Sequence, residues 1–152
     1  MLGSKDCMHW CWKNCPTAWH AQYSGCKESP TIILEAVASY NLWIWKSFFS
    51  VPGSCNDLNV LHWSNVFQEL RNGREAPINY TINGNSYDMG YYLGDDIYPP
   101  YATIVKTFRN QQGITQKHKL FCKYQEACRK DVERAFGVLQ ARFAFVREPC
   151  KL

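Results

Sequence analysis

The sequence predicts an α/β layer fold in which one sheet is covered by helices. Three observations carry that prediction. Short segments dense in β-branched and aromatic residues recur between turn formers. An Asn-Gly pair sits between two alternating segments. In the C-terminal third, apolar residues step by three or four over more than twenty positions. The implied order is β-β-β-α-β-(β)-β-α: three sequential strands, a helix, then further strands that end in a helix. At 152 residues, with no internal repeat and no low-complexity segment, the chain reads as a single domain over 1–152, long enough to bury a sizeable core. Its 46% hydrophobic and 15% aromatic content argues against disorder.

Residues 2–9 make the first strand, and a loop rich in Trp, Cys and Gly follows between Pro16 and Pro30. The segments 31-TIILEAVAS-39 and 42-LWIWKSFF-49 are the second and third strands. The link 52-PGSCND-57 ends in helix-start chemistry, with Ser54, Asn56 or Asp57 available as the cap. Apolar residues at 58, 61, 66, 67 and 70 suit a helix that Asn72-Gly73 closes. Residues 78-INYTINGNSYDMGYYL-93 form a hairpin about Asn83-Gly84, because both turn positions tolerate positive φ. Its second arm runs into 93-LGDDIYPP-100, where two aspartates and two prolines stop the strand. The segment 103-TIVKTF-108 is a further strand. In the last helix Phe121, Tyr124, Cys128, Val132, Phe136, Leu139 and Phe143 form one apolar stripe.

Charge divides the chain. Residues 1–100 carry six Lys/Arg against nine Asp/Glu, a net of −3, and residues 101–152 carry eleven against four, a net of +7. An acidic region followed by a basic one fits a site that handles a polyanion, although a solvated basic helix has the same composition. The opening MLGSKDCMHW has no apolar h-region, which predicts no signal peptide. The richest apolar run, residues 31–49, is broken by Glu35, Asn41 and Lys46, so no membrane span is expected. On that reading the chain is intracellular, the Asn79-Tyr80-Thr81 sequon stays unmodified, and the eight cysteines are reduced thiols. The tryptophans read as core or loop anchors.

Four acidic residues at three places stand out by context. Asp6 lies inside a strand, where Asp is disfavoured unless something compensates it. Asp95 and Asp96 follow a strand's C-terminal end, where α/β sheets commonly place ligand groups. Glu133 lies one residue from the apolar stripe, at the helix–sheet boundary. Carboxylates gathered at a sheet end repel one another unless cations neutralise them. Hard oxygen ligands suit Mg²⁺ or Mn²⁺, and two such ions ~4 Å apart activate water and hold a leaving phosphate oxygen. The plain structural reading competes: Asp95 caps the next turn, and Glu133 pairs with Arg129 four residues earlier, worth roughly 0.3–0.5 kcal/mol. A second rival is the run 7-CMHWCWKNC-15, with His20 and Cys26 beyond it. Its Cys7, His9, Cys11 and Cys15 suit zinc by softness, but the spacing by four contains no C-x₂-C pair. Lys117, Lys119, Lys123, Arg129, Lys130 and Arg134 are candidates for DNA phosphate contacts, or a solvated face.

The runs 3-GSKDCMHWCWKNCPTAW-19, 31-TIILEAVASYNLWIWKSFF-49, 52-PGSCNDLNVL-61, 80-YTINGNSYDMGYYLGDDIYP-99 and 129-RKDVERAFGVLQARF-143 closely resemble, in order, the plant transposon protein family of the PIF/Harbinger superfamily of DDE transposases and their nuclease relatives. The resemblance implies a ribonuclease H-like mixed sheet flanked by helices, the catalytic core of a DDE-type nuclease. It implies a metal site of Asp6 in G-S-x-D-C, Asp95 in L-x-D-x-I-Y-P and Glu133 in V-E-R-A-F-G, with Asp57 of P-G-S-x-N-D as an additional acidic group. Asp6 and Asp95 would share two Mg²⁺ or Mn²⁺ ions, Glu133 would complete the second site, and phosphodiester hydrolysis of DNA would follow in the nucleus, with the cytoplasm as a second compartment. A separate Myb-like DNA-binding partner is implied, and an oligomer is compatible with the resemblance. The chain departs from the pattern in four ways. Asp96 replaces a usual glycine, and Lys5 stands where an apolar residue is expected, facing away from Asp6. Cys11, Cys26, Cys55, Cys122 and Cys128 are extras. The sequence opens almost at the first catalytic strand, so the N-terminal region that family members carry ahead of the core is expected to be lacking; a catalytically inactive DNA-binding or protein-interaction remnant is the alternative reading, and a small zinc-binding module the second.

Overall fold

A computed structural model describes residues 1–25, 28–68, 78–108 and 115–151. Its centre is a mixed sheet with strand order β3-β2-β1-β6-β7. Strand β1 (Gly3–Cys11), β2 (Thr31–Ala38) and β3 (Ile44–Pro52) run antiparallel to one another in turn. On the other side of β1, the short strands β6 (Tyr92–Leu93) and β7 (Ile104–Val105) run parallel to it. The three long strands form because their β-branched and aromatic residues fit a pleated surface, buried along β2 and largely exposed along the edge strand β3.

Alternation along β1 divides the core. Lys5 stands opposite Val37 and Cys7 opposite Glu35, on the face where Val37, Leu61, Phe67, Tyr92, Tyr98 and Ile104 pack together. Asp6 stands opposite Ala36, on the face where Ala36, Ala38, Val132, Ala135 and Phe136 pack with Met8 and Leu34. The first face is covered by α2 (Asp57–Trp63) and a 3₁₀ turn at Asn65–Phe67. The second is covered by α4 (Asp131–Arg142), preceded by α3 (Gln116–Arg129) and followed by the short α5 (Ala144–Arg147). A one-turn helix, α1 (His20–Tyr23), follows a 3₁₀ turn at Thr17–Trp19 in the loop before β2.

Several expectations need correction. The helix expected from Leu58 starts at Asp57 and stops at Trp63, because Ser64 turns to extended backbone while its N–H still reaches Val60; Leu70 and Asn72-Gly73 lie outside the described residues. Asn83 and Gly84 do form the turn, with φ of 52° and 81°, but the hairpin β4 (Tyr80–Ile82) and β5 (Asn85–Tyr87) is a separate two-stranded sheet. Its second arm does not run on into β6: residues 88–91 intervene. The last helix is two helices, broken at Lys130, whose ψ of −5° leaves the regular α-helical range. The apolar stripe is divided accordingly. Val132 and Phe136 are buried, whereas Phe121, Tyr124 and Phe143 are exposed, and α3 buries Gln125. Trp10 is a core anchor, but Trp43, Trp45 and Trp63 are more than half exposed.

Candidate functional site

The site is assembled on the α4 side of β1. Ser4 and Asp6 point the same way from the strand. The Ser4 hydroxyl donates to the Cys128 carbonyl at 2.8 Å, which ties the last turn of α3 to the strand. That anchor brings the next side chain, Arg129, to Asp6: its Nη1 lies 3.9 Å from Asp6 Oδ2. One turn further on, the same Nη1 lies 3.5 Å from Glu133 Oε1. The plain expectation of a Glu133–Arg129 helix pair therefore holds, and it extends across to the sheet.

Asp6 is the buried member of this group and Glu133 the exposed one, with side chains 21% and 46% accessible. Burial pushes the Asp6 carboxyl above its ordinary range. The Cys7 backbone N–H, which donates to Asp6 Oδ1 at 2.9 Å, and the Arg129 guanidinium pull it down, while the charges of Asp57 and Glu133 push it up again. Asp6 and Glu133 thus share one guanidinium, and Asp57 acts on Asp6 through its charge.

Asp57 reaches this neighbourhood through the P-G-S-C-N-D link. A Cβ on Gly53 would stand 2.0 Å from Thr31 Oγ1 and 2.6 Å from the Thr31 and Tyr23 carbonyl oxygens. Only glycine allows the chain to leave β3 so close to the start of β2. The Ser54 hydroxyl donates to the Gln22 carbonyl at 2.5 Å. Asn56, of the three candidates, is the helix cap, accepting from the Asn59 N–H at 2.9 Å. Asp57 is then the first residue of α2, where the helix dipole favours an acidic side chain.

Asp95 lies two residues past β6, whose Leu93 pairs with Ser4 of β1. It is exposed. Its Oδ1 accepts the Asp96 N–H at 2.8 Å, and its carbonyl accepts the Tyr98 N–H at 3.3 Å, so the expected turn-capping role is present. Asp96, in the place of the family's glycine, accepts from the Thr107 hydroxyl at 3.0 Å. The carboxylates acting on Asp6 are Asp57 and Glu133. Among the described residues, no three His, Cys, Asp or Glu side chains converge into a group able to hold a metal ion.

The basic candidates separate into two kinds. Lys117, Lys119, Lys123 and Lys130 are exposed on α3 and at its end, and Lys119 and Lys123 line a groove with Gln116 and Leu120. Arg129 belongs to the acidic cluster, and Arg134 is held by Asp131. The cysteine–histidine run does not gather. Cys7, His9 and Cys11 share a face of β1 but meet different hydroxyls: Tyr98 at 4.0 Å, Thr31 at 3.0 Å and Ser29 at 3.6 Å. Cys15 is buried, His20 Nε2 meets the Cys15 carbonyl at 3.0 Å, and Cys26 lies outside the described residues.

Sequence reasoning missed Gln125. Its Nε2 donates to the Gly94 and Val105 carbonyls at 3.2 and 3.1 Å, closing the ends of β6 and β7 against α3. The available signal was a polar residue four positions after Phe121 and so on the predicted apolar stripe.

These features define a mixed α/β protein with a carboxylate–guanidinium cluster where the central strand meets its last helices. The chain belongs to the plant transposon protein family, which it matches over residues 1–152. No curated protein and no solved structure matches it.

Proposed function

We propose that the chain is the catalytic core of a DDE-type nuclease derived from a PIF/Harbinger transposase, acting on DNA phosphodiester bonds. The observation that carries this reading is the meeting of Asp6, from the central strand, and Glu133, from the last long helix, at the Arg129 guanidinium, with Asp57 at the start of α2 acting on Asp6 through its charge. Supporting it, the strand order with an antiparallel β2 and parallel β6 and β7 agrees with the ribonuclease H-like arrangement that the family resemblance implies. Asp95 leaves β6 immediately beside β1, where that arrangement calls for its second aspartate.

The oxygens of these side chains are of the kind that suits a hard divalent cation, and the described side chains do not converge into a ready-made site. The set consists of carboxylate oxygens, its negative charge exceeds the one guanidinium nearby, and burial leaves Asp6 short of stabilising positive charge. Asp6, Asp95 and Glu133, with Asp57 adjacent, would hold Mg²⁺ or Mn²⁺. Such ions supply Lewis acidity, generating a nucleophile from water and stabilising the departing oxygen. Asp6 takes its position from the Cys7 N–H and from the β1–β2 register, so it is fixed before any ligand arrives. Arg129 holds Glu133 towards the strand. Lys117, Lys119, Lys123 and Lys130 hold the DNA backbone without reading its sequence, which fits a separate Myb-like partner for target choice and a nuclear location.

One observation favours a second reading, a non-catalytic DNA-binding remnant: Arg129 already serves as the cation between Asp6 and Glu133. Nicking of supercoiled plasmid in Mg²⁺ or Mn²⁺ separates the two. Cleavage by wild type that is lost in Asp6→Asn, Asp95→Asn and Glu133→Gln is the expected result. Folded wild-type protein that binds DNA and never cuts it establishes the remnant instead.

A further inference from the structure

Beneath the acidic site, on the opposite face of β1, lies a fully buried ion pair. Lys5 Nζ and Glu35 Oε1 meet at 2.6 Å with both side chains 0% accessible. The two are diagonal neighbours across the β1–β2 ladder, since Lys5 stands opposite Val37 and Glu35 opposite Cys7. Neither side chain makes a hydrogen bond to any other described residue. Desolvating two charges is expensive, and replacing such a pair with apolar residues commonly leaves stability unchanged or improves it. Core filling therefore does not account for it.

The surroundings of Lys5 give a better account. Its ammonium lies 3.9 Å from the centroid of the Tyr98 ring and 5.0 Å from that of Phe67. Desolvated cation–π contacts of this kind are among the stronger ones. Tyr98 is itself buried to 1%, and it is the residue that closes the Asp95 turn, its N–H donating to the Asp95 carbonyl at 3.3 Å. The Tyr98 carbonyl accepts from Lys106 Nζ at 2.7 Å, and its hydroxyl stands 4.0 Å from Cys7 Sγ. The ring thus rests on Lys5 and reaches Cys7, the two sequence neighbours of Asp6. Strand β6 pairs with β1 through only two residues, so the short ladder alone holds the segment beyond it weakly.

We infer that Lys5, held by Glu35, is a positioning residue: its buried ammonium seats the Tyr98 ring and thereby fixes the Asp95 turn at a set distance from Asp6. The sequence oddity of a lysine beside the strand aspartate has its cause here. The consequence for metal binding rests on the nuclease reading above; the positioning of the turn does not.

The test is the double variant Lys5→Met/Glu35→Leu, which removes both charges at similar volume, measured two ways. Amide hydrogen exchange is followed at Tyr98 and at β1–β2 amides, and Mn²⁺ affinity is titrated in parallel. The expected result is a folded protein with β1–β2 protection kept, Tyr98 protection lost, and Mn²⁺ bound about tenfold more weakly, the scale of losing a group that orients a ligand. Unchanged Tyr98 exchange in the folded double variant overturns the inference. If that variant does not fold, Tyr98→Leu decides by exchange at the amides of Asp95–Ile97, and unchanged exchange there is again fatal. Wild-type protein that binds no Mn²⁺ overturns the metal reading alone, because the exchange result still decides the positioning.

Discussion

The Arg129 guanidinium lies 3.9 Å from the Asp6 carboxylate, a contact between residues 123 positions apart that is set up by the Ser4–Cys128 hydrogen bond. It joins the central strand to the last helices at the point where Glu133 also arrives. The contact softens, but does not cancel, the cost of burying Asp6, whose carboxyl remains above its ordinary range. The pH behaviour of the fold follows from that imbalance.

Consider stability first. Asp6 has a higher pKa folded than unfolded, chiefly through burial. Between the two values the folded state holds a proton that the unfolded state has released, so stability falls as pH rises through this window. Above the folded value the ionised carboxylate is a full penalty. Asp6→Asn removes the penalty and keeps an oxygen for the Cys7 N–H. In EDTA at pH 7 its Tm should exceed that of wild type by roughly 2–4 °C, the shift given by about 1 kcal/mol in a domain of this size. The difference should fade as the pH approaches the ordinary carboxylate value. An Asn variant that melts lower at pH 7 contradicts the account.

Arg129 competes with any cation drawn to the same oxygens. Arg129→Met keeps the apolar stem and removes the charge. Mn²⁺ should bind severalfold more tightly to this variant, since a unit charge a few ångströms away has been lost, and the advantage should shrink in high salt. Weaker Mn²⁺ binding would show that the guanidinium organises the carboxylates more than it opposes the metal.

The three long strands were legible in the sequence because β-branched and aromatic residues are dense between turn formers, most of all in β2, which is buried along nearly all its length. The Asn83-Gly84 turn was legible because positive φ restricts composition. The break at Lys130 was not: it leaves no proline or glycine behind, and the apolar period continues through it. Asp6, Asp57 and Glu133 were recognisable by motif. The meeting of Asp6 and Glu133 at Arg129 was not readable from spacing, because it depends on the Ser4–Cys128 anchor. The Lys5–Glu35 pair was visible as two isolated charges in neighbouring apolar strands, but only the register shows that they meet.

Gly53 offers a test of its close passage beside Thr31. With Thr31 Oγ1 2.0 Å from the added Cβ, Gly53→Ala forces apart β2 and the link that carries Asp57. Stability should fall by more than the ~1 kcal/mol of an ordinary glycine replacement. Gly84→Ala provides the control: its φ of 81° is strained, but a Cβ there meets nothing, so about 1 kcal/mol should be lost, confined to the β4–β5 hairpin. Equal losses at the two sites would mean that the Gly53 contact relaxes freely.

Gln125 closes β6 and β7 with one amide nitrogen. Gln125→Leu leaves the Gly94 carbonyl without that donor, at about 1–3 kcal/mol for a buried group left unsatisfied. The Val105 carbonyl keeps the Gly94 N–H at 3.2 Å, and the Gln125 Oε1, which has no partner among the described residues, is removed. Hydrogen exchange should rise in residues 92–105 and stay unchanged in the β2–β3 ladder. An unaltered exchange pattern would show that the strand ends are held by the sheet alone.

Binding to DNA distinguishes the two kinds of basic residue. Lys119 and Lys123 line one groove of α3 and have no carboxylate partner among the ion pairs of the described residues, whereas Arg134 is engaged by Asp131. Each lysine on a phosphate contributes about 0.9 to the slope of log affinity against log salt on duplex DNA. The Lys119→Ala/Lys123→Ala variant should therefore lose close to 2 from that slope, weakening all sequences alike. Arg134→Ala should change it by much less, because its charge is already compensated. If the double lysine variant keeps the wild-type slope, DNA does not lie along α3, and the basic C-terminal third is a solvated face.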